Sequence, residues 1–198
     1  MVYLKLIIGC MFSSKSSTLL SEINRYKHIT DKILVVNSIL DKERQSHDEA
    51  MIETHDNKHY PAIMVKTLNE LKSNTVYNKK YDYAEIVIID ESQFYGDLYE
   101  FMRSELFSQT NKKMFIVAGL SGDYKMEPIG DVLKLIPMAD EIQKLDAYCI
   151  YCKDGTLASF TSKLINTNAT ANAQQIVVGN DDMYSPCCRY HFLSFYKE

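Results

Sequence analysis

The 198-residue chain has no apolar run near the roughly 20 residues of a membrane-spanning helix. The stretch Val2 to Ile8 behind Met1 is too short for a secretory leader. There is no internal repeat, no low-complexity tract and no cluster of basic side chains. The first absences set aside a membrane protein and lead us to expect a soluble, cytoplasmic one. The last, with a net charge of −4, argues against a nucleic-acid partner, because such surfaces need lysine and arginine to neutralise phosphates. A disulfide framework is not expected from five cysteines in a cytosolic chain, and four of the five lie after position 148. The length, with 46% hydrophobic and 24% charged residues, suits one domain, or one domain with a small appendage.

Val2 to Ile8 is a near-continuous apolar run, as expected for a strand covered on both faces. Gly9-Cys10-Met11-Phe12-Ser13-Ser14-Lys15-Ser16 follows, and Leu19, Leu20, Ile23 and Tyr26 then fall at helical spacing within Ser17 to His28. Strand, glycine loop and helix in that order is the context of a phosphate-binding loop (P-loop). Its pattern is Gly, four residues, Gly, Lys, then Ser or Thr, with backbone N–H groups turned around an anion at a helix N-terminus. Gly9, Lys15 and Ser16 match. Ser14 stands at the second glycine, where a side chain costs contact distance or backbone freedom, and little if φ there is negative.

Lys32 to Val36 reads as a second strand, which gives a βαβ unit. Asn37 to Tyr60 reads as a solvated loop, Ala62 to Val65 as a short strand, and Thr67 to Asn74 as a helix or turn. Ala84-Glu85-Ile86-Val87-Ile88-Ile89-Asp90-Glu91 is an apolar strand ending in an acidic pair, the shape of an element that holds Mg²⁺ through an Asp. Asp97 to Thr110 reads as a helix, Lys112 to Gly119 as a strand, and Asp140 to Tyr148 as a last strand. Strands and helices alternating this way imply a mainly parallel α/β sheet with flanking helices, and ligands at the strand carboxyl ends, where Gly9, Asp90 and Gly119 lie. Lys15 would then reach the β- and γ-phosphates of a nucleoside triphosphate, while Ser16 and Asp90 hold magnesium. Glu91 is left as a general base, or as a solvated strand-end residue.

After position 148 the composition changes. Cys149-x-x-Cys152 and Cys188-x-x-His191 supply the four ligands of a closed tetrahedral zinc site, structural because no position remains for water. Cys187, beside Cys188, is not separated from it by spacing alone. A redox Cys-x-x-Cys lacks its thioredoxin-like helix.

With these three elements together, the chain resembles the type II thymidine kinase family of cells and large DNA viruses over nearly its whole length. The loop resembles the family's Gly-Pro-Met-Phe-Ser-Gly-Lys-Ser/Thr, and Asp90-Glu91-Ser92-Gln93-Phe94 its Asp-Glu-Gly/Ala-Gln-Phe. Thr54-His55-Asp56, Gly119-Leu120-Ser121-Gly122-Asp123-Tyr124 and Pro128 to Leu145 fall in the family's order.

The resemblance implies transfer of the γ-phosphoryl group of ATP to the 5′-hydroxyl of thymidine, with Glu91 as general base, Mg²⁺ as the metal and structural Zn²⁺. It places Gly9 to Ser16, Asp90 and Gln93 at the ATP phosphates. Asp41 and Arg44 stand near an Asp-x-Arg of the nucleotide site, one residue longer in spacing. The thymidine pocket would be lined by Met11, Phe94, Leu120 and Tyr124, residues that composition alone reads as core. A lasso between the zinc knuckles would bring Gln175, Ile176, Val177, Val178 and Gly179 to the thymine and Tyr184 to the sugar or base. The domains implied are residues 1–147, the nucleotide-binding α/β unit, and residues 148–198, the zinc-ribbon and lasso unit. A homo-oligomer, tetramer or dimer, and inhibition by dTTP are implied as well.

The chain departs from the family at Ser14, at Ser121 in place of Asp, at Met126-Glu127 in place of a basic pair, at Ile129 in place of Phe and at Asn180 in place of Gly. Ser14 and the lost basic pair keep a second reading in view, a weakened or inactive relative that binds nucleoside or nucleotide as a subunit or regulator. A third is a different zinc-containing P-loop phosphotransferase or ATPase.

Overall fold

A computed structural model describes residues 1–44, 51–53, 59–163 and 183–195. In chain order, β1 (Tyr3–Gly9) leads into α1 (Lys15–Tyr26) and β2 (Ile33–Ser38). A 3₁₀ turn (Ile39–Arg44) and the short strands β3 (Met51–Glu53), β4 (His59–Pro61) and β5 (Ile63–Val65) follow. Next come α2 (Glu70–Ser73), α3 (Thr75–Tyr83), β6 (Ile86–Ile89), α4 (Leu98–Leu106) and β7 (Met114–Leu120). A 3₁₀ helix (Val132–Met138) precedes β8 (Glu141–Leu145). The C-terminal part holds β9 (Ala147–Tyr148), β10 (Leu157–Ala158), β11 (Phe160–Lys163), β12 (Tyr184–Cys187) and α5 (Arg189–Phe195).

Six strands form one parallel sheet in the order β5-β2-β6-β7-β1-β8. Alternate residues of its central strands feed two cores, which explains why those strands read as unbroken apolar runs. Leu4, Leu6, Val87, Ile89, Phe115 and Val117 pack with Leu98, Phe101 and Met102 of α4, Leu71, Tyr81, Val132 and Leu135. Ile7, Val35, Ile88, Ile116 and Ala118 pack on the other face with Leu19, Leu20 and Ile23 of α1. The one charge inside β1, Lys5, is buried and paired, with Nζ 3.0 Å from Glu22 of α1 and 2.8 Å from Glu141 of β8. It joins three elements at the cost of desolvating an ammonium. Among the described residues no helix is long and apolar enough to cross a membrane.

One expectation from the sequence needs correction, and one helix lies where none was expected. Asn37 to Tyr60 is not only loop, because β2 runs on to Ser38 and β3 pairs antiparallel with β4, Ile52 opposite Tyr60. Ile52 is wholly buried against the α1-side core, and one apolar anchor in a polar stretch is too short a pattern to read. Beyond α2 there is a second helix, α3, capped by Asn74, whose side chain accepts from the N–H groups of Val76 (2.9 Å) and Tyr77 (3.3 Å). Only Tyr81 of α3 is buried, so apolar periodicity did not announce it.

Candidate active site

The glycine loop leaves β1 where no side chain fits. A Cβ on Gly9 would lie 2.6 Å from the Leu145 carbonyl oxygen and against the Ser13 hydroxyl. The chain then turns through two left-handed residues, Phe12 (φ 64°) and Ser14 (φ 62°), on either side of Ser13. Turns of this kind point successive N–H groups into one concavity, and α1 starts there at Lys15 with its N-terminus towards the same space. The Ser13 hydroxyl (2.8 Å) and the Lys15 ammonium (2.7 Å) both donate to the Cys10 carbonyl. The condition under which Ser14 costs little is not met. Its φ is positive, so a Cβ there carries about 1–2 kcal/mol of backbone strain. The side chain is exposed and makes no capping bond, so the penalty is conformational rather than a clash.

The acidic edge lies at the end of β6. Asp90, 2% exposed, accepts from the Ser16 hydroxyl at 3.0 Å and from the Glu91 N–H at 2.9 Å. Burial, then the neighbouring Glu91 charge, pushes its carboxyl up to about 7. Beside it, at the end of β2, the Asn37 amide donates to Asp41 at 2.9 Å. These oxygen donors suit a hard divalent cation such as Mg²⁺.

Glu91 itself is left-handed (φ 47°, ψ 41°), a strain of order 1–3 kcal/mol in a non-glycine residue. The Gln93 amide donates to its carboxylate, while the Gln93 carbonyl oxygen accepts from the Leu120 N–H at 3.1 Å. Gln93 is thereby a buried bridge between Glu91 and the end of β7. The same turn buries the hydroxyls of Ser92 and Tyr95 without a hydrogen-bond partner. These costs are concentrated in the turn that carries Glu91.

Of the expected nucleoside pocket, Met11, Phe94, Leu120 and Tyr124 are half-buried and Tyr184 is buried. The rings of Tyr124 and Tyr184 stand 6.2 Å apart. Lys125 and Lys163 lie over the Tyr124 ring at 5.6 and 5.5 Å, so cations remain here although Met126-Glu127 replace a basic pair. Arg44 ends the 3₁₀ turn that holds Asp41. Gln175, Ile176, Val177, Val178 and Gly179, like Thr54-His55-Asp56 and Asn180, lie outside the described residues.

The structure brings Cys149, Cys152, Cys188 and His191 together, with all ligand atoms within 4.8 Å of one another. The His191 Nδ1 lies 3.6, 3.4 and 3.3 Å from the three sulfurs in turn, and the Cys152 and Cys188 sulfurs are 3.7 Å apart. A tetrahedral zinc with bonds of about 2.3 Å to sulfur and about 2.05 Å to nitrogen requires S···S of about 3.8 Å and S···N of about 3.6 Å. The set fits zinc. Burial would raise the Cys149 thiol, but backbone donors from Cys188, Cys152 and Tyr151 outweigh it and bring it down to about 6, towards the thiolate that a metal needs. Cys187 stands apart from the four, its thiol pushed up to about 11 by burial.

Sequence reasoning missed Thr161, whose hydroxyl accepts the Met11 N–H at 3.1 Å. It also missed the Cys10 thiol, which donates to the Ala158 carbonyl at 3.2 Å. Their partners are 150 and 148 residues away, a separation that no local pattern signals.

A lysine in a tight loop at a helix start, a hydroxyl on a buried aspartate and a glutamate beside it, all at the carboxyl edge of a parallel sheet, are the parts of a nucleotide-dependent phosphotransferase. A family model described as thymidine kinase matches residues 2–192, and the chain belongs to that family. It is 35% identical over 191 residues to the thymidine kinase of Yaba monkey tumor virus, covering 94% of this chain and 92% of that protein. It is 35% identical over 201 residues to the thymidine kinase of Amsacta moorei entomopoxvirus, covering 98% and 99%. With thymidine kinase a of Arabidopsis thaliana it shares 35% over 191 residues, covering 95% and 74%.

Proposed function

We propose that the protein is a thymidine kinase that transfers the γ-phosphoryl group of ATP to the 5′-hydroxyl of thymidine. The observation that carries this is the Ser16–Asp90 hydrogen bond beside Glu91, in a chain that matches the family over residues 2–192. Lys15 leaves the Cys10 carbonyl for the β- and γ-phosphates, and the loop N–H groups receive the same anion. Ser16 and Asp90 would hold Mg²⁺, which supplies charge neutralisation on the phosphates. Glu91 accepts the proton of the 5′-hydroxyl, its carboxylate aimed by Gln93. Gln93 thus acts through Glu91, beyond the phosphate contact that the resemblance implies.

Tyr124 and Tyr184 supply aromatic surface for thymine, with Met11, Phe94 and Leu120 around it. Residues 1–147 carry the phosphoryl transfer and residues 148–198 the zinc-bound lasso. Zinc at the Cys149, Cys152, Cys188 and His191 set is structural. Inhibition by dTTP and assembly into a homo-oligomer belong to the same reading, on the family resemblance. With Lys15, Ser16, Asp90 and Glu91 all in place, an enzyme is favoured over a binding subunit.

The test incubates purified protein with labelled ATP, Mg²⁺ and each deoxynucleoside beside a Glu91→Gln variant. Label is expected on thymidine, with kcat of the variant down about 10²- to 10⁴-fold. Wild-type turnover no higher than that of the variant would sink the enzyme reading.

A further inference from the structure

Two contacts tie the glycine loop to the C-terminal hairpins, one to each. The Cys10 thiol, 2% exposed, donates to Ala158 on β10. β10 pairs with β9, Ala158 opposite Ala147, and β9 runs directly into Cys149 and Cys152. The next residue, Met11, donates its N–H to the hydroxyl of Thr161 on β11. β11 pairs with β12, Thr161 opposite Pro186, and β12 ends one residue before Cys188. Each hairpin therefore carries one half of the Cys/His set and one anchor of the loop. The two strand pairs also meet directly, through the Ile150 N–H on the Pro186 carbonyl at 3.4 Å, the Phe160 ring packs on Phe192 of α5, and the shared centre adds a further tie between the pairs. At its other end Cys10 offers the carbonyl that receives Lys15 and Ser13.

We infer that Cys10 and Thr161 are positioning residues that make the shape of the phosphate loop depend on the filled Cys/His centre, so that zinc and nucleotide each tighten the binding of the other. Linkage of this kind is reciprocal, and a coupling of roughly 5- to 150-fold is the usual range. It acts through two hydrogen bonds to one side of the loop, and each is worth roughly a threefold to tenfold change in affinity. The inference rests on the kinase reading for the nucleotide and on zinc for the metal.

The full-length protein is loaded with zinc, its metal content is measured, and ATP affinity is titrated calorimetrically before and after zinc is withdrawn, with chelator removed and Mg²⁺ restored. Wild type, Cys10→Ala, Thr161→Val and the double variant are compared. Zinc withdrawal is expected to weaken ATP binding by wild type roughly tenfold. Each single variant, fully zinc-loaded, is expected to lose roughly threefold to tenfold, and the double variant to be nearly indifferent to zinc. Amide exchange at Met11 separates positioning from general destabilisation: it is slow in zinc-loaded wild type and fast in Thr161→Val at the same zinc content. Equal ATP affinity of loaded and stripped wild type overturns the inference, and so do zinc-loaded single variants that bind ATP as wild type does. A protein that binds ATP and holds no zinc removes the metal reading and the inference with it. One that holds zinc and binds no ATP overturns the kinase reading too.

Discussion

The two halves of the candidate site are held by different physics. The sheet edge that carries Lys15, Asp90 and Glu91 stands on β1, β6 and β7, where Leu4, Leu6, Ile7, Val87, Ile88, Phe115, Ile116 and Val117 are wholly buried. The C-terminal hairpins rest on a cluster of Cys10, Ala147, Cys149, Ala158, Cys187, Cys188 and Phe192, in which four of the seven members are cysteines. A deep apolar base lets the first region tolerate an aspartate that resists ionisation and a glutamate in left-handed backbone. The second has a smaller core, and with it a Cys/His set whose donor atoms are compatible with structural zinc. Strain at a functional site is affordable where the surrounding packing over-determines the backbone.

The sharpest way to break this contrast is to withdraw the metal. Structural zinc in small modules contributes an apparent 10 to 16 kcal/mol or so at neutral pH, far more than the small cluster here supplies. Chelation, or Cys152→Ser, is expected to abolish amide protection across β9 to β12 and α5 while β1, β6 and β7 stay protected. Hydrogen exchange read by mass spectrometry checks it. Loss of protection in both regions together would show one cooperative unit, and the contrast would fail.

A smaller effect comes from Asp90. Its folded pKa, about 7, lies above the ordinary 3.8, so the folded state holds the proton more tightly than the unfolded one. The associated stability is fully present below about pH 4 and is lost as pH rises through about 7, an amount of up to about 4 kcal/mol. Asp90→Asn removes the titration. The difference in thermal stability between wild type and variant, followed from pH 4 to about 8 without Mg²⁺, should shrink or reverse against wild type as pH rises. Mg²⁺ competes with that proton and should stabilise wild type more at pH 8 than at pH 5 or so. A pH-independent difference between the two proteins would mean that Asp90 ionises normally.

Much of this was legible in the sequence because it is local. Val2 to Ile8, Ala84 to Glu91 and Lys112 to Gly119 read as strands from their apolar runs, which are near-continuous because both faces of the sheet are covered. The acidic pair follows its strand directly, and the knuckles Cys149-x-x-Cys152 and Cys188-x-x-His191 carry their spacing on their face. What could not be read is non-local or conformational. Ile52 needs the α1-side core to make β3 a strand, and Cys10 and Met11 find partners across the whole chain. Gln93 looks like one motif residue among five until the structure shows it gripping Glu91. Thr75–Tyr83 did carry a signal, Asn74 as an N-cap, but a helix with one buried residue has no apolar stripe to accompany it.

The smallest predicted effect tests the loop on its own. Ser14 is left-handed, exposed and without a capping bond, so its hydroxyl contributes nothing visible to set against about 1–2 kcal/mol of Cβ strain. Glycine relieves that strain but adds about 0.5–1 kcal/mol of freedom to the unfolded chain. Ser14→Gly is therefore expected to stabilise the protein by about 1 kcal/mol, seen as a rise in Tm of about 2–4 °C. ATP affinity should rise by a few-fold at most, because the change frees one dihedral and adds no contact. Ser14→Ala keeps the Cβ and should leave both unchanged. If Ser14→Ala loses affinity while Ser14→Gly does not gain it, the hydroxyl itself meets the nucleotide, and the serine is a working part of the loop rather than a strained substitute for glycine.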